Sequence, residues 1–175
     1  MIVYRHADPR FPFLWEIADQ PPARWHGYGE GPVQYFADTP DGAWAEFLRH
    51  EGITLESELV HVRRALWAVQ VPDDLTAEVP RLAPAILTGG LETYEVCQKE
   101  ARRLRENGIV AVRASSAALL IGGARGWKVD RGLQPSGERD GIVFAFFGPR
   151  PDLVGWMAAF SARPRSDLLA RVRRL

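Results

Sequence analysis

Between Val33 and His50 the apolar pattern changes its period once, at Thr39-Pro40. Val33, Tyr35 and Ala37 alternate with Gln34 and Phe36, the two-residue period of a strand. Thr39 is suited to cap orphan amides, and Pro40 carries the φ of a first helical position, so a helix begins there. Ala43, Phe47 and His50 then recur on one helical face, with Trp44 and Leu48 beside it. Glu46 borders that face, where a carboxylate is costly unless something pairs with it. A Gly-rich loop holding Arg24 precedes the strand. The stretch therefore presents an arginine, a tyrosine and a glutamate on a loop, a strand and a helix.

The rest of the chain supplies further short elements. Residues 2–6 read as a first strand. Residues 7–22 read as a proline-rich loop whose Phe11, Phe13, Leu14 and Trp15 either pin it to the core or wall a pocket. Residues 58–71 hold one long strand or a strand pair, with Leu66, Ala68 and Val69 as buried candidates. Residues 72–88 read as a connection with at most one helical turn. Tyr94, Cys97, Ala101 and Leu104 step along one face of a helix over 90–107, stopped by Asn107-Gly108. A short strand at 109–112 leads into Ser115-Ser116. Residues 122–140 are rich in glycine and charge and are expected to form an exposed loop, without the strand–turn–helix context of a dinucleotide fingerprint. Residues 141–147 form an apolar, interior strand, and 154–160 another. A tail from Ser166 closes the fold as a helix, with Arg171, Arg173 and Arg174 at its end read as a solvated terminus, and a contact with RNA or a partner protein as the alternative. Short strands with few helices and no βαβ alternation indicate an α+β fold in a single domain over 1–175.

Composition narrows the function. Lys+Arg and Asp+Glu are equal at 22 each, which gives no push toward nucleic acid or an anionic membrane. A single cysteine, Cys97, excludes an internal disulfide and a cysteine-based zinc site. The four histidines are scattered without ligand spacing, so no metal is expected. No transmembrane stretch or signal-like region is visible, and a cytoplasmic location is expected. No Gly-x-Ser-x-Gly elbow offers a serine nucleophile.

The central stretch resembles the RES domain, named for its arginine, glutamate and serine. That family's pattern appears here as Arg24-Trp25, Gly31-Pro32-Val33-Gln34-Tyr35-Phe36-Ala37 and Ala43-Trp44-Ala45-Glu46. The family also has an arginine near the end of its first strand, which Arg5 matches in distance from Arg24. Its serine follows a strand and precedes an alanine, a context that Ser116 fits best, with Ser115 as the open alternative. The resemblance implies an ADP-ribosyltransferase-like fold, two packed, mostly antiparallel sheets with flanking helices and a cleft. It implies a toxin that consumes NAD as substrate, without a metal, and that is blocked by a separate helix-turn-helix antitoxin of Xre type.

Splitting nicotinamide from NAD builds an oxocarbenium-like transition state. Such chemistry needs a carboxylate near the developing cation, arginine forks for the pyrophosphate and an aromatic wall for the ring. The resemblance and this charge argument assign Glu46 as the carboxylate, and Arg24 and Arg5 as clamps for phosphates or ribose. Tyr35 stacks on or hydrogen-bonds the nicotinamide ribose, and Ser116 holds the ribose or helps to position the nucleophile. Two rivals stand beside this: a module that binds NAD or ADP-ribose without turnover, and a structural protein in which an Arg24–Glu46 salt bridge braces the fold.

Overall fold

The computed structural model describes every residue except Trp15, Ala18, Asp130 and Leu175. In chain order the elements are β1 (Ile2–Ala7), β2 (Val33–Ala37), α1 (Pro40–His50), α2 (Glu56–Leu59), β3 (Arg64–Gln70), α3 (Pro84–Thr88), α4 (Tyr94–Glu106), β4 (Ala111–Ser115), β5 (Trp127–Val129), β6 (Leu133–Pro135), β7 (Ile142–Phe147) and β8 (Val154–Ala162). Short 3-10 helices stand at Leu91–Thr93 and Ser166–Arg171. The fold is α+β. Six strands form one antiparallel sheet in the order β4-β7-β2-β1-β3-β8, and β5 and β6 form a separate ribbon.

That sheet is nearly two. β1 pairs along its whole length with β3, and β2 along its whole length with β7, yet β1 and β2 meet at the single pair Tyr4–Ala37. The expected pair of packed sheets is thus corrected to one sheet whose halves, β4-β7-β2 and β1-β3-β8, join at a point. The cause lies just past β2. Asp38 continues to bond to β7, through its amide to Ile142 O at 3.0 Å and its carboxylate from Ile142 N at 3.0 Å. The chain is drawn toward β7, and the side of β2 that faces β1 is left open as a notch.

Helix α1 begins where the sequence places it. The Thr39 side chain accepts from Gly42 N at 3.0 Å, Pro40 opens the first turn, and Arg49 and His50 complement the dipole in the last. Gly42 is required by the close approach of helix to strand, because a Cβ there would stand 2.9 Å from the Ala37 Cβ. The helix buries Ala43, Trp44, Phe47 and Leu48 against Leu59, Val62, Leu66 and Leu168. Each large side chain in that set contributes roughly 1.5–3 kcal/mol of hydrophobic stabilisation. Helix α4 covers the β4-β7-β2 half, packing Cys97, Ala101 and Leu104 on Val112, Ala145 and Phe147, with Trp25 among them. It ends at Asn107, and Gly108 follows with φ +77°. On the other face Val3, Phe36, Val69, Phe144 and Phe146 form a third cluster.

Several expectations change in detail. Residues 58–71 resolve into the end of α2 and one strand, with Leu66 and Val69 buried and Ala68 half-buried. The glycine-rich segment carries the β5–β6 ribbon, which its three-residue strands are too short to signal by periodicity. His50 ends α1 exposed. Of the arginines after Ser166, Arg174 is exposed as expected, whereas Arg171 and Arg173 are tied to the fold. Arg171 reaches Asp41 at 3.2 Å and Gly123 O at 3.0 Å, and Arg173 reaches Leu119 O at 3.1 Å. Phe13 and Leu14 pack on the third cluster, while Phe11 stays exposed at a cavity rim, so that loop divides between its two readings. Trp15 lies outside the described residues. No helix among the described residues is long and apolar enough to cross a membrane.

Candidate active site

The notch between β1 and β2 opens into a cavity of about 760 Å³, within the range of small-molecule sites. Helix α1 walls one side and the segment around Phe11 the other. Arg5, Arg24, Tyr35 and Glu46 all line it, as does Ser115. Sequence positions spread over a loop, three strands and a helix are thus brought to one hollow at the open edge of β2.

Glu46 projects from α1 and accepts a hydrogen bond from Ser116 Oγ at 2.8 Å. The direction of that bond is fixed. Ser116 Oγ accepts from the amides of Ala118 and Leu119, both at 3.2 Å, so its one proton goes to the carboxylate. Ser116 is buried behind the wall, and Ser115, the last residue of β4, faces the cavity. Ser116 is therefore the serine that meets the glutamate, and it positions that carboxylate. Glu46 enters no ion pair among the described residues, so the salt bridge with Arg24 that the rival structural reading requires is not formed.

The arginines are held by neutral partners. Arg24 is buried and donates to Ile86 O at 3.0 Å, Thr93 Oγ1 at 2.9 Å and Gly89 O at 2.6 Å, with its guanidinium 4.8 Å from the Tyr94 ring centroid. Three of its five N–H donors are thereby committed to the protein, so it supplies positive charge and a rigid wall more than an open fork. Arg5 donates to the Gln34 side-chain oxygen and lies over Phe36. Burial lowers its pKa to about 10, which still leaves it charged at neutral pH. Sequence reasoning missed two more. Arg49, one turn beyond Glu46 on α1, donates to Ala117 O and, at 2.8 Å, to the same Gly89 carbonyl that Arg24 uses. Arg64 reaches His6 Nδ1 at 3.4 Å and lies over Phe47. None of the four is ion-paired among the described residues, and together they outnumber the carboxylates of Asp8, Glu16 and Glu46 in the cavity lining.

The Tyr35 hydroxyl is committed to the protein. It accepts from Trp25 N at 3.0 Å and bonds His26 Nδ1 at 2.9 Å, tying the Arg24 loop to β2. Burial pushes the Tyr35 phenol far above its ordinary range and His26 below its own, so both are neutral. Tyr35 lines the cavity. His6 is also a wall residue, driven down to about 3 by burial first and by the charges of Arg64, Arg5 and His50 after it. Among the described residues, no three His, Cys, Asp or Glu side chains gather as metal ligands.

Comparison with known families matches residues 2–125 to the RES domain. No curated protein sequence matches the chain. Arg5, Arg24, Tyr35, Glu46 and Ser116 all fall inside the matched span, which takes in most of the chain and the whole of the Glu46 wall of the cavity. The chain belongs to the RES domain family, whose members generally act on NAD.

Proposed function

We propose that the protein cleaves the nicotinamide–ribose bond of NAD and passes ADP-ribose to an oxygen nucleophile: phosphate, water or a protein side chain. One observation carries this reading. Among the described residues Glu46 enters no ion pair, and it shares a cavity with four arginines that have none either. A positive cavity suits a pyrophosphate, and a carboxylate within it suits a cation that exists only at the transition state.

The C1′–N bond breaks with its electron pair passing to the nicotinamide ring, which leaves neutral. The ribosyl carbon becomes cationic beside Glu46, held in place by the Ser116 hydroxyl. The nucleophile's oxygen closes on C1′ and gives up its proton to solvent or to the carboxylate. Arg5 and Arg49 hold the pyrophosphate, Arg24 adds charge, and the Tyr35 ring walls the nicotinamide ribose. The notch between two antiparallel half-sheets supports an ADP-ribosyltransferase-like architecture. In the same reading the protein is a toxin, restrained by a separate Xre-type helix-turn-helix antitoxin that closes the cavity.

Nicotinamide release from NAD, measured by chromatography with and without inorganic phosphate, tests the proposal. Wild type releases nicotinamide, and the co-product identifies the acceptor. Glu46→Gln lowers the rate on the order of 10²–10³-fold, as loss of an electrostatic stabiliser does. NAD that binds and stays intact supports a binding module instead. Loss of thermal stability as the sole effect of Glu46→Gln supports a brace.

A further inference from the structure

The cavity has a second end that the cleavage chemistry does not use. From the Tyr4–Ala37 join β1 carries the lining through Arg5, His6 and Asp8 to Phe11, Pro12 and Ile17, a segment whose Phe13 packs on the sheet face opposite helix α1. Phe11 is 61% exposed and Ile17 55%, and both line the cavity. Phe11 is nonetheless tied to its own turn. Its amide donates to Asp8 O at 3.0 Å. One face of its ring is backed by the Arg10 guanidinium, 5.6 Å from the centroid. That guanidinium is gripped in turn by both oxygens of Asp8, at 3.0 and 2.9 Å. A turn that fixes an aromatic ring and covers one of its faces with a clamped cation presents the other face for stacking.

Building on the reading of the site as one for NAD, we infer that Phe11 is the platform on which the adenine base stacks, with Pro12 and Ile17 as its apolar border. The positions follow from the ligand's own layout. Nicotinamide must sit by Glu46, the pyrophosphate lies by the unpaired arginines, and the remaining base falls on the exposed ring. Stacking on an aromatic side chain suits a purine and involves no hydrogen-bond readout.

The test uses wild type, Phe11→Ala and Phe11→Trp. Binding of ADP-ribose is measured by calorimetry, and kcat/KM is measured for NAD and for nicotinamide mononucleotide, which lacks the adenylate. Phe11→Ala weakens ADP-ribose about tenfold and lowers the preference for NAD over the mononucleotide by a similar factor, while Phe11→Trp keeps both. The inference is overturned if ADP-ribose does not bind wild type, if it binds Phe11→Ala as well as wild type, or if NAD and the mononucleotide lose activity equally. Phe11-dependent binding of ADP-ribose without nicotinamide release keeps the adenine platform and removes the catalytic reading beneath it.

Discussion

His6 makes the stability of this protein depend on pH in a defined direction. In the folded chain burial and the charges of Arg64, Arg5 and His50 hold its pKa near 3, whereas an unfolded histidine titrates near 6.5. Between those values the unfolded chain takes up a proton that the folded one refuses, so stability falls as pH falls. The slope reaches at most about 1.4 kcal/mol per pH unit, and His26, also lowered, adds in the same sense. Urea denaturation at pH 7 and pH 5 should show wild type losing stability across that interval, ahead of most carboxylate titration. His6→Asn should lose less, and an equal loss in both would remove His6 as the cause. At this scale the sequence was informative about type and silent about partners. Arg24 and Glu46 were legible as a pair of candidates, but which carbonyls occupy Arg24 and which hydroxyl reaches Glu46 depends on residues some seventy positions away. Arg49 was within reach of sequence reasoning, since it lies three positions beyond Glu46 and shares the helix with a buried face.

Helix α1 shows how an element joins stability to the site. Its N-cap, first-turn proline and apolar face were legible because each is a local requirement of one chain segment. The same holds for α4, whose Cys97, Ala101 and Leu104 fall on the buried side. Thr39→Ala removes the cap and should cost about 1 kcal/mol. That is a fall of roughly 2–4 °C in melting temperature for a domain of this size, read by calorimetry. An unchanged melting temperature would mean that packing alone sets the start of α1. The one-pair contact between β1 and β2 was not legible, because register between strands far apart in sequence is set by what Asp38 bonds after β2 ends. The β5–β6 ribbon escaped for a different reason, its strands being too short to show a period.

For the whole molecule, the balanced net charge conceals a local imbalance. Equal totals of 22 acidic and 22 basic residues coexist with a cavity whose four arginines are held by carbonyls, an amide side chain, an imidazole and aromatic faces. The join of two half-sheets makes the hollow, and the arginines give it a sign. In the proposed reaction Glu46 is the group that favours a cation over a neutral sugar. If that division of labour holds, binding and chemistry must separate in one variant. The decisive measurement compares NAD affinity with nicotinamide release in Glu46→Gln. The account expects a dissociation constant within about threefold of wild type, and release lowered by two orders of magnitude or more. It is contradicted if affinity and turnover fall together, or if turnover survives.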